Sequence, residues 1–150
     1  MKLARFGPLV PDLARGLRAA IATLLPFYLA RRYGIHELAW TAIGGWLGTL
    51  ADPGGLRGTR ARLLAAFALF GALVVAIAGA ASASTPLGML VLALVAFFAS
   101  LARSLGAAAS AVGSLLVVTA AIALGGLAGE PLTDAAAFFG GALWAVVLSS

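Results

Sequence analysis

The chain has no cysteine, a single histidine (His36) and only five acidic residues in 150. Without cysteine there is no disulfide framework, thiolate nucleophile or cysteine-based zinc or iron–sulfur site, and one histidine rules out a multi-histidine metal centre. Charge of either sign is scarce: Asp, Glu, Lys and Arg make up 10% of the residues, against roughly 25% in a soluble domain. So few charges cannot cover a water-facing surface. No phosphate-binding glycine loop, acyl-transfer constellation or nucleic-acid motif occurs. No enzymatic role, cofactor, metal or nucleic-acid partner is expected.

What is present is apolar. Hydrophobic residues account for 63% of the chain, and mean hydropathy is +1.09. The ten basic residues, nine of them arginine, flank greasy stretches instead of forming a patch in polar surroundings; that is the membrane pattern. A bilayer core about 30 Å thick needs about 20 helical residues per crossing, because each backbone N–H and C=O must bond within its own segment.

Six stretches meet this need, at about 13–32, 37–51, 63–81, 87–102, 104–127 and 134–150. Pro26 is expected to kink the first. Asp52-Pro53-Gly54-Gly55 stops the short second, and Ser82-Ala83-Ser84-Thr85-Pro86 ends the third. The 42 residues from Leu87 to Ala128 carry Arg103 as their sole charge and exceed one crossing, so they break there into two antiparallel helices. At the amino terminus Gly7, Pro8, Pro11 and Asp12 interrupt any apolar run, which argues against a cleavable signal. The expected fold is an all-α, polytopic transmembrane helical bundle of six spans in a single domain.

Charge asymmetry orients it. With the amino terminus inside, Lys2, Arg5, Arg15, Arg18, Arg57, Arg60, Arg62 and Arg103 face the cytoplasm, eight bases against Arg31 and Arg32 outside. A re-entrant second segment would split them six to four and leave no clear orientation. Six crossings put both termini in the cytoplasm and place His36, Glu37, Glu130 and Asp134 on the outer side.

The residues that stand out for function lie mainly on the second span. Thr41, Gly45, Gly48, Thr49 and Asp52 recur at helical spacing and share a face. This polar stripe reads either as a substrate or proton path with Asp52 at its cytoplasmic mouth, or as a small-residue packing face with Asp52 forming a turn before Pro53. Trp40 is expected at the outer interface as an anchor, whereas Trp46 lies deeper and either stacks on an aromatic ligand or packs. Arg57, Arg60 and Arg62 form a basic cytoplasmic loop that either anchors topology beside anionic lipid or captures an anionic substrate.

Arg103 reads as an inner-loop residue, or, with a shift in register, as a buried anion site. Gly106, Ser110 and Ser114, with Ala107 and Ala111, make a small-xxx-small pattern that permits close helix approach and supplies further path candidates. His36 beside Glu37 is either an interfacial pair or a proton relay. Pro131 and Asp134 suit the start of a helix.

Several of these stretches resemble the membrane half of the fusaric acid resistance and aromatic acid exporter family of bacterial inner-membrane proteins. They are the Arg-bearing first helix Gly16-Leu17-Arg18-Ala19-Ala20-Ile21-Ala22, the short Trp-containing second span from Trp40, and the Pro-Gly-Gly turn leading through Arg57, Arg60 and Arg62 into the third helix. Leu56-Arg57-Gly58-Thr59 loosely echoes the family's Arg-x-x-Gly-Thr. The resemblance implies a six-helix module that exports aromatic carboxylic acids. It also implies partners: membrane lipid, and either further copies of the chain or a second membrane module.

The expected function is therefore efflux of small aromatic or amphipathic organic acids, coupled to protons, along a path lined by the second and fifth helices. The competing expectation is a structural or assembly subunit of a membrane complex that transports nothing itself.

Overall fold

A computed structural model describes residues 9–52, 57–127 and 129–149, and no strand occurs among them. Six α-helices follow in chain order: α1 (Leu9–Tyr33), α2 (Glu37–Leu50), α3 (Arg57–Ala81), α4 (Thr85–Ala102), α5 (Ala107–Ile122) and α6 (Pro131–Ser149). The turn expected at 53–56 lies outside the described residues, as do the side chains of Arg15 and Arg57.

Helices and apolar stretches differ at their ends, for local reasons. α3 begins at Arg57, six residues before the expected apolar start, because arginine and alanine favour helix whatever their hydropathy. α6 begins at Pro131, whose fixed φ and missing N–H suit a first helical position. α5 ends early: Ala123–Leu127 form a widened turn in which Gly126 adopts φ +94°. A 3-10 turn, Arg103–Leu105, separates α4 from α5 and confirms a break at Arg103.

Among the described residues four stretches are long and apolar enough to cross a membrane: Gly58–Ala81, Thr85–Leu105, Ala107–Gly126 and Pro131–Leu148. α1 carries Arg15, Arg18, Arg31 and Arg32 within its 25 residues. α2 has 14 residues, which at 1.5 Å each span about 21 Å. The outward surface fits a lipid solvent. α4 leaves Met89, Leu90, Leu94, Phe97, Phe98 and Leu101 exposed, far more contiguous apolar surface than a water-soluble monomer presents.

α6 is the hub, packing most extensively on α2 and next on α3, while α4 pairs with α5. Phe138 of α6 is fully buried between Trp40 of α2, at 6.4 Å between ring centroids, and Phe67 of α3, at 5.8 Å. Around this aromatic cluster the backbones approach closely. A Cβ on Gly44 would lie 2.2 Å from the carbonyl oxygen of Phe138, and one on Gly141 would lie 2.0 Å from that of Thr41. The crossing is thus reciprocal: each helix presents a glycine to a carbonyl of the other, three residues from its own contacting carbonyl. Apolar burial gives little drive inside lipid, so such van der Waals fit is what holds helices together.

Contact order along the helices fixes their directions. Gly44 meets Phe138 and Ala142, and Gly48 meets Ala142 and Ala145, so α2 and α6 run parallel. Gly113 meets Ala99 and Gly88 meets Leu124, so α4 and α5 run antiparallel. Asp52 and Arg60 pair across the α2–α3 connection, and Gly88 lies near the carbonyl of Ala81 where α3 gives way to α4. It follows that Arg18, Asp52, Arg57, Arg60, Arg62 and Arg103 gather at one end of the bundle. Arg31, Arg32, His36, Glu37, Glu130 and Asp134 occupy the other.

Candidate functional site

The base-rich end is organised by one ion pair. α2 ends at Leu50 with the Ala51 N–H donating to the Leu47 carbonyl at 2.8 Å, which leaves Asp52 just past the helix terminus. Arg60, in the first turn of α3, donates from Nη2 to Oδ2 of Asp52. The carboxylate is 8% exposed and the guanidinium 20%. Arg60 Nε is buried and has no hydrogen-bond partner among the described residues. The first turn of α3 holds no acid to complement its bases.

The stripe that leads to Asp52 is packed solid. Gly45 faces α1, where a Cβ would come within 2.7 Å of the Ala22 carbonyl oxygen, and Gly48 faces Ala145 of α6. The carbonyl of Thr41 abuts Gly141. Thr49 is buried, and its hydroxyl donates to the Trp46 carbonyl at 2.7 Å. That bond satisfies a polar group inside an apolar bundle without calling on a ligand. α1 and α6 fill the space in front of Thr41, Gly45 and Gly48, and Asp52 lies past the end of the helix.

Trp40 is not the exposed anchor expected, and Trp46 faces outward instead of packing inside. Trp40 is 1% exposed and belongs to the aromatic core, whereas Trp46 is 43% exposed on the perimeter. Position along the helix suggested an interfacial Trp40; position around the helix decides otherwise, since Trp40 faces Phe138.

The seam of α5 also shifts by one residue. Gly113 makes the close approach to Ala99. Ser114 is exposed, its hydroxyl turned back to the Ser110 carbonyl at 3.0 Å, and nothing approaches Gly106. Arg103 is exposed at the α4–α5 turn. The structure therefore brings Asp52 and Arg60 together with the α2 stripe, and leaves Arg103, Ser110 and Ser114 apart from it.

Two shallow cavities lie elsewhere on the perimeter. One of about 240 Å³ is lined by Ser82, Ser84, Thr85, Met89 and Leu124 at the opposite end, and one of about 370 Å³ by Leu69, Leu73, Ala135 and Phe139.

Sequence reading missed two features. The first is the pairing of Asp52 with Arg60; their spacing of eight residues across the Pro53-Gly54-Gly55 turn is the signal that returns the chain to the same level. The second is the burial of Asp134, which is 4% exposed and accepts the Gly129 N–H at 2.7 Å, tying the entry of α6 to its first turns. Beside it the Thr133 hydroxyl donates to Glu130 at 2.9 Å. No family model, curated protein or solved structure matches the chain.

Proposed function

We propose that the chain is a transporter module of a bacterial inner membrane, exporting small aromatic or amphipathic organic acids, related to the fusaric acid resistance and aromatic acid exporter family. The observation that carries this reading is the largely buried Asp52–Arg60 pair at the base-rich end, where α2 meets α3. A basic mouth attracts organic anions from the cytoplasm, and a carboxylate beside the arginine is the natural group to exchange a proton in a coupled cycle. In the orientation that the charge bias favours, all six helices cross, both termini are cytoplasmic, and α2 is a short span sheltered between α1 and α6.

The test is uptake of radiolabelled benzoate into proteoliposomes under an imposed pH gradient. Gradient-dependent flux that falls at least tenfold in Asp52→Asn supports the reading, and a chain with correct topology and no flux overturns it. The filled face of α2 favours one alternative, a non-transporting assembly subunit. In that case the protein would copurify in fixed ratio with another membrane protein and carry no benzoate.

A further inference from the structure

We infer that Arg60 is a carboxylate-binding group for an organic acid, and that Asp52 occupies its place until such an acid arrives. The inference deepens the transporter reading and rests on it for the class of ligand. A guanidinium presents Nε and Nη2 on one edge, matched to the two oxygens of a carboxylate. Asp52 takes Nη2, and Nε–H is buried without an acceptor among the described residues. A buried donor on a charged group is costly to leave unpaired, and native structures rarely keep one without reason.

A carboxylate seated squarely on that edge engages both Nε and Nη2, whereas Asp52 meets Nη2. The surroundings favour an incoming anion. Arg57 and Arg62 flank Arg60 in the opening turns of α3, where the positive end of the helix adds to their charge. The neighbouring chain is apolar: Ala51, one residue before Asp52, and Leu64, one turn after Arg60, are both buried. A ligand with a carboxylate head and an apolar body fits this setting better than an inorganic anion.

The experiment measures benzoate binding to the full chain in detergent by calorimetry, with benzamide as the neutral analogue and inorganic phosphate as competitor. The wild type binds benzoate and not benzamide. Asp52→Asn, with the competing charge removed, binds roughly tenfold tighter, and Arg60→Lys, which keeps the charge without the two-bond edge, binds at least roughly tenfold weaker, the scale of one charge-assisted hydrogen bond. Arg32→Gln, at the opposite end, leaves binding unchanged. Arg60→Gln abolishes binding; should it fail to fold, Arg60→Lys decides.

Equal or weaker binding in Asp52→Asn, or wild-type affinity in Arg60→Lys, overturns the inference. Displacement of benzoate by equimolar phosphate overturns the assignment to organic acids. Binding as described without flux in proteoliposomes sinks the transporter reading and leaves the site standing, whereas undiminished flux in Arg60→Lys does the reverse.

Discussion

At Gly44 and Gly141 a single methyl group decides whether two helices can touch. A Cβ at either position would sit far inside the contact distance of a backbone carbonyl, and backbone, unlike the end of a side chain, cannot swing aside. Gly140, next in sequence to Gly141, has nothing within 4 Å of its Cβ position. Gly44→Ala and Gly141→Ala are therefore expected to destabilise the folded bundle by about 1–3 kcal/mol or more, and Gly140→Ala to leave it within about 0.5 kcal/mol. Thermal melts of the three variants in detergent check this, and equal midpoints would refute the crossing. Phe138→Ala empties the centre of the aromatic cluster and is expected to cost about 3–5 kcal/mol.

The Asp52–Arg60 pair is the second residue-scale test. Its groups are largely but not wholly buried, which sets the cost of losing one partner between that of an exposed pair and a fully buried one, at about 1–3 kcal/mol. A melt of Asp52→Asn in the absence of any organic acid is expected to lose that amount, even though ligand binding tightens. A variant with unchanged stability would show that the pair does not fasten α2 to α3.

At the scale of elements, apolar runs and polar punctuation in the sequence are enough to locate six helices. The break at Arg103 and the stops after Ala81 and Leu50 follow from turn chemistry, charge and length. Which way each helix faces is another matter. The surfaces of α3, α5 and α6 are apolar almost all round, so no polar side marks what points outward. That is why a stripe at 106, 110 and 114 reads as well for a seam as the one at Gly113, and why hydropathy does not show that Trp40 faces the core and Trp46 the perimeter. α2 is the exception in part: its Thr and Gly residues do lie together, and their crowding against α1 and α6 explains why half of so short a helix is buried.

For the whole molecule the telling property is the separation of charge between its two ends. Arg18, Arg57, Arg60, Arg62 and Arg103 share one end with Asp52, while the acids Glu37, Glu130 and Asp134 lie with Arg31 and Arg32 at the other. The positive-inside rule is the ground on which we propose that the former end faces the cytoplasm. Because the chain has no cysteine, single introduced cysteines report topology without background. In intact cells, Ser84→Cys is expected to react with a membrane-impermeant maleimide, and Thr59→Cys only after the membrane is opened. The reverse pattern would overturn the proposed orientation.

Amino-acid order alone settled that the chain is helical and apolar enough for lipid, and where its helices break, because hydropathy and turn residues act locally along the backbone. Three-dimensional packing alone decided the partners: Gly44 with Phe138, Trp40 in the core, Asp52 on Arg60. In a bundle whose helices are oily on every side, burial of apolar surface does not choose among faces. Steric fit between small residues and carbonyls does, and that fit exists only once the helices have met.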